Sequence, residues 1–225
     1  MLIAKRVLGA GGRRIPTEGL VARYELDSSL VDTSGNGFDG TPASEVSYTP
    51  GARGSALAGD GANYVSLPAL GLGGSTPRTV SVWARRGAST SIKSLVGWSG
   101  PLVNGTSCIL HVGAVATGDV YWGFGGSDYR TAGGQVTTGA FTHICAVYDG
   151  GVLSTSTVRI YINNVSVPLT RVGTGSITPN TANSNYRLQS DALGPRINDG
   201  DLDLVRLYNR ALPGAEIDDL YREAA

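Results

Sequence analysis

Three acids, Asp199, Asp201 and Asp203, stand two residues apart, a spacing that puts all three carboxylates on one face of an extended strand. Glycoside hydrolysis needs two carboxylates flanking a cleft; against that use, the acids are read as turn or structural residues and the chain as a non-enzyme. A second oxygen-rich pattern is Asp32-x-Ser34-x-Asn36-Gly37. It sets side-chain oxygens on alternate residues ahead of a glycine turn, as calcium loops do. Ala43 occupies the twelfth position, where such a loop carries a bidentate Glu, so a distant acid, Asp203 or Asp201, has to complete the shell if the final strand lies alongside. The expected calcium site is Asp32, Ser34, Asn36 and Asp203; the alternative is a tight loop whose side chains bind its own backbone. His143 and Cys145 share a strand face, but no acid stands at a spacing that completes a nucleophilic triad. Trp98 and Trp122 are the candidates for stacking on sugar rings, whose C–H faces suit an aromatic surface.

The elements that must position these residues are strands. Leu20–Leu26 opens the series, followed by 63–67, 78–85, 94–98, 107–113, 120–124, 142–148, 158–163, 186–190 and 201–208. In Val158-Arg159-Ile160-Tyr161-Ile162-Asn163 the apolar trio falls on one face and the polar set on the other, the mark of a strand with one buried side. Asn163-Asn164 then offers a hairpin turn, because Asn tolerates positive φ. The one helix candidate is Pro213–Glu223, with Pro213 at its first position and Ile217, Leu220 and Tyr221 on one stripe.

Composition agrees. With 33 Gly, 16% charged and 41% hydrophobic residues, the chain suits short strands joined by tight turns. Formal net charge is zero, which gives no global field for nucleic acid, and no run approaches the roughly 20 apolar residues of a membrane helix. Cys108 and Cys145 make no disulfide framework, and the N-terminus lacks the pattern of a secretory signal, so folding in a cytoplasm is expected. Residues 1–18 read as an arm interrupted by Gly9, Gly11 and Gly12, and residues 19–225 as one domain. The arm carries Lys5, Arg6, Arg13 and Arg14 for charge-assisted contacts, and Leu2, Ile3, Val7 and Leu8 as small apolar anchors.

Six segments, in order, resemble the laminin G-like and pentraxin-like domains of the concanavalin A-like superfamily. They are Gly19–Tyr24 with Asp32–Gly40, Gly54–Leu57 with Gly59–Val65, Thr79–Trp83, Phe141–Asp149, Val158–Asn163, and Asp203–Leu212 with Glu216-Ile217. The resemblance implies an all-β fold: a two-sheet antiparallel jelly-roll sandwich with a short C-terminal helix. It makes Trp83 a core residue and Asp203 the family's non-catalytic acid. Hydrolases of the superfamily close their acid strand with a Glu, where this chain has Val205 and Arg206. Pentraxins bridge the equivalent of Cys145 to a Cys where this chain has Ser81, so that bridge is absent, and their acid-rich ligand loop is thin in acids here, over Asp191–Asp199. The fold hosts lectins, adhesion modules and hydrolase accessory domains alike. The expected role is a non-enzymatic, surface-displayed module: a tailed-phage virion protein (decoration, fibre or tail component) assembled in the host cytoplasm. Its partners would be other virion subunits or a second copy, met through the arm, and a glycan ligand. The alternative is a bacterial carbohydrate-binding lectin or adhesion module at the cell surface.

Overall fold

The computed structural model describes residues 15–100, 104–113, 117–173, 175–191 and 196–225. Among them the first eight strands are β1 (Leu20–Tyr24), β2 (Thr41–Pro42), β3 (Tyr48–Pro50), β4 (Ser55–Leu57), β5 (Val65–Leu67), β6 (Arg78–Arg85), β7 (Lys93–Ser99) and β8 (Ser107–Val112). Then come β9 (Val120–Gly123), β10 (Asp128–Arg130), β11 (Thr142–Tyr148), β12 (Val158–Ile162), β13 (Val165–Ser166), β14 (Thr170–Val172), β15 (Tyr186–Leu188) and β16 (Asp201–Tyr208), and the helix α1 (Gly214–Tyr221). They form two eight-stranded sheets. The first runs β13-β12-β11-β6-β16-β4-β3, with β1 also on β16; the second runs β14-β10-β9-β8-β7-β15-β5-β2. Each strand pair is antiparallel, so the expected jelly-roll sandwich with one C-terminal helix is what the chain adopts.

Alternation builds the core. In β11, Ile144, Ala146 and Tyr148 point between the sheets, and in β8 and β9 so do Cys108, Leu110, Val112, Val120 and Trp122. The other face of the first sheet is also covered: Cys145, Val147 and Tyr208 are buried under Leu212, Ile217 and Leu220 of the helical segment. Cys145 and Ser81 are register partners across β11 and β6, and both cysteines are free and buried.

Strands β6, β11 and β16 have the expected bounds, and Asn163 and Asn164 make the hairpin turn at φ 48° and 66°. The other expected strands differ by one or two residues at one or both ends, and the helix starts one residue later than expected. Pro213 caps the helix from an extended conformation, φ −73° and ψ 160°, instead of standing inside its first turn. Of the arm, residues 1–14, and with them Leu2, Ile3, Lys5, Arg6, Val7, Leu8, Arg13 and Arg14, lie outside the described residues. Its last four residues belong to the sandwich: Ile15 packs on the helical cluster, the Pro16 carbonyl accepts the Tyr208 hydroxyl at 3.0 Å, and the Glu18 carbonyl accepts Arg210 Nε at 2.7 Å.

Candidate functional site

The Asp32 loop spends its oxygens on its own backbone. Asp32 Oδ1 accepts the N–H groups of Arg23 and Ser34, each at 2.9 Å, and Oδ2 accepts Phe38 N–H at 3.0 Å and the Ser34 hydroxyl at 2.8 Å. Burial raises the carboxyl's pKa, but these donors outweigh it and hold Asp32 below its ordinary value. Asn36 Nδ2 donates to the carbonyls of Leu20 and Val21. The fourth expected ligand, Asp203, is elsewhere: its Oδ2 accepts Arg53 N–H at 3.0 Å in the loop before β4. Among the described residues no group of three His, Cys, Asp or Glu that could hold a metal ion is present, and the side chains of Asp32, Ser34 and Asn36 are engaged in the loop's own hydrogen bonds while Asp203 binds the loop before β4.

The sugar-stacking expectation for Trp98 and Trp122 is also corrected. Trp98 is 1% exposed and Trp122 0%, because the inward positions of β7 and β9 fall on them. A register shift between Ser94 and Val96 sets that phase in β7. Trp98 stacks on Tyr186 at 5.1 Å under the Arg78 guanidinium, and Trp122 tilts on Phe124 at 5.0 Å. Both indoles are core.

The acid triplet is dispersed into separate roles: Asp199 Oδ2 accepts Ser89 N–H at 2.9 Å, Asp201 pairs with Arg85 at 2.7 Å, and Asp203 holds the loop. His143 is buried under the helix beside Trp83 and Tyr221, with Nε2 2.9 Å from the Ser81 hydroxyl. Burial lowers its pKa to about 3 and raises that of Cys145, so the pair offers neither a base nor a thiolate at neutral pH.

Chemistry gathers instead on the outer face of the second sheet. Where Trp122 points in, its neighbours Tyr121 and Gly123 point out, next to Ile109 and His111 of β8. A row of cross-strand partners runs Ser66, Arg187, Gly97, Ile109, Gly123, and its two glycines leave the middle of the face low. A cavity of about 190 Å³ opens there, lined among others by Ile92, His111, Tyr121, Asp128 and Arg196. Gly123 marks its focus. A Cβ placed on it would stand 3.3 Å from Tyr121 Cε1, 3.5 Å from Asp128 Oδ1 and 3.7 Å from His111 Nε2.

A hydrogen-bond chain sets the focus chemically. The Ser94 hydroxyl donates to Asp191 Oδ2 at 2.7 Å, so it receives the proton of His111 Nδ1 at 3.0 Å. That fixes the tautomer and leaves a lone pair on Nε2, toward the cavity. Arg196 pairs with the buried Asp191 at 3.5 Å from the rim. Burial, opposed by Asp191 and reinforced by Arg196, pushes the imidazole down to about 3, so it stays neutral. Tyr121 spends its hydroxyl hydrogen on Asp128 Oδ2 at 2.5 Å, while Asp128 Oδ1 accepts Phe124 N–H at 2.7 Å. The alternation of Val120–Gly123 is visible in the sequence and separates Tyr121 from Trp122. Which of the two faces water depends on the partner sheet.

A laminin G-type family model, described as concanavalin A-like lectin/glucanases superfamily, matches residues 59–218. The chain belongs to that superfamily. No curated protein matches it in sequence. Among solved structures it is similar to domain 4 of AbnA, a GH43 extracellular arabinanase from Geobacillus stearothermophilus, in complex with arabinotriose. The identity there is 24% and the TM-score 0.65, over 90% of this chain and 98% of that one. It is also similar to the binding domain of Paraclostridial Mosquitocidal Protein 1, at 16% identity and TM-score 0.66 over 91% of this chain. A third is the binding domain of botulinum neurotoxin DC in complex with SialylT, at 11% identity and TM-score 0.60 over 93% of this chain. This chain spans 52% of each of those two binding domains.

Proposed function

We propose that this protein is a non-enzymatic glycan-binding module whose site is the cavity at Gly123. The observation that carries the reading is the convergence of a phenol, a carboxylate and a neutral imidazole on one point of a glycine-floored sheet face. Apolar Ile92 and Ile109 beside polar acceptors make a surface for an amphipathic ring. The likeness to domains solved with arabinotriose and with SialylT supports it. At about 190 Å³ the cavity is smaller than the roughly 300–1,000 Å³ that engulfs a drug-sized ligand, so it takes one sugar ring and leaves the rest of a chain outside. The test is to plug it. Gly123 is not at positive φ, and an added Cβ asks only a few tenths of an ångström of the Tyr121 ring at 3.3 Å, so Gly123→Ala should fold and fill the focus. Binding to a glycan array should fall at least tenfold with the melting temperature within a few degrees of the parent; unchanged binding moves the site elsewhere.

For its place of display we infer a virion surface. The basic arm, Lys5, Arg6, Arg13 and Arg14, and two buried free cysteines support this, because such a fold completes in a reducing cytoplasm before display. Particles purified from a lysate should carry the chain, and deletion of residues 1–14 should leave it free in the supernatant. A chain absent from particles favours a lectin acting alone.

A further inference from the structure

We infer that the Gly123 cavity selects an uncharged sugar residue, bound through its hydroxyl hydrogens, over an acidic one. The inference rests on the glycan-binding reading of that cavity and names its ligand class. Two polar atoms flank the focus, His111 Nε2 and Asp128 Oδ1, and both are acceptors, as is the Tyr121 hydroxyl bonded to Asp128. His111 Nε2 presents a lone pair because its other nitrogen donates to Ser94. Tyr121 Oη has given its hydrogen to Asp128, and Asp128 is a carboxylate, acceptor-only. A ligand must therefore bring hydrogens. Neutral sugars carry a hydroxyl on most carbons. A uronate or sialate carboxylate brings none, and it would meet the charge of Asp128 in a cleft partly shielded from water, where like charges repel far more than in bulk solvent.

Arg196 is the one cation lining the cavity among the described residues, and it argues the other way. Its guanidinium, however, faces Asp191 at 3.5 Å, and 40% of its side chain is exposed, so its field is shared and screened. The focus lies with Asp128 and His111, whose atoms stand within 3.7 Å of where a Cβ on Gly123 would be, and so flank the space above that glycine.

Matched pairs of ligands test this: lactose with 3′-sialyllactose, and a neutral xylo-oligosaccharide with its glucuronic acid-substituted counterpart, titrated calorimetrically against the whole chain. In at least one pair the neutral member should bind tenfold or more tightly than the acidic one. Asp128→Asn should shrink that ratio at least threefold by admitting the acidic member, and Arg196→Gln should not reverse it. Tighter binding of the acidic members overturns the inference while the glycan reading stands. An unchanged ratio in a folded Asp128→Asn also overturns it. If neither these pairs nor a broad array binds, the glycan reading falls, and the inference with it.

Discussion

Among the described residues no cation pairs with the buried Asp203 carboxylate; it is held by backbone N–H groups, and its Oδ1 has no side-chain or backbone hydrogen-bond partner among them. Burial raises its pKa to about 6, against the pull of the N–H groups of Arg53, Leu204 and Ala52, and with a further push from Asp27. The native state therefore keeps a proton that the unfolded chain releases near pH 4. Between these values the native state binds more protons, and stability falls as pH rises. In Asp203→Asn this decline should vanish: the difference in melting temperature between pH 4.5 and pH 7.5 should shift in favour of the higher pH relative to the parent. Parallel profiles would show that Asp203 ionises normally. Glu25 has the opposite sign. Burial raises it, but Arg206, Arg23 and Arg53 outweigh that and lower it, so its contribution is present at neutral pH and lost as pH falls below the carboxylate range. Glu25→Gln should flatten the acid limb of the same profile.

At the scale of elements, the helix is a lid on the outer face of the first sheet. Ile217 and Leu220 are 0% and 1% exposed and cover Cys145, Val147 and Tyr208. Ile217→Ala should cost about 2–4 kcal/mol. Because Cys108 lies between the sheets and Cys145 lies under the helix, local loosening should expose only one thiol. A thiol reagent should label Cys145 faster in this variant and Cys108 at the parental rate; equal acceleration of both would mean global unfolding instead. The elements divide into those legible in the sequence and those that are not. Strands β6, β11 and β16, seven or eight residues each, carry several alternations and sit where the pattern puts them. Strands β2, β3, β10, β13 and β14 have two or three residues, too few to show a period, and exist because a neighbour's edge is there to pair with. The candidate site shares this limit. Tyr121, Asp128 and Arg196 are far apart in type and sequence, and only the pairing of β8, β9 and β10 brings the first two together.

At the scale of the whole molecule, Arg206 ties the beginning of the described chain to its end. Fully buried, it donates to the Tyr24 carbonyl at 2.9 Å, to Glu25 at 2.7 Å and to Glu223 at 2.6 Å, while Arg53 reaches the same two acids. Ile15 sits on the helical cluster at the same face. Both ends of the described chain are thus fixed on the outer side of one sheet, and the Gly123 cavity opens on the outer side of the other. Anything fused to either end would therefore sit behind the sandwich. A fluorescent protein, a surface anchor or a bead linked through residue 15 or residue 225 should leave the cavity facing solution.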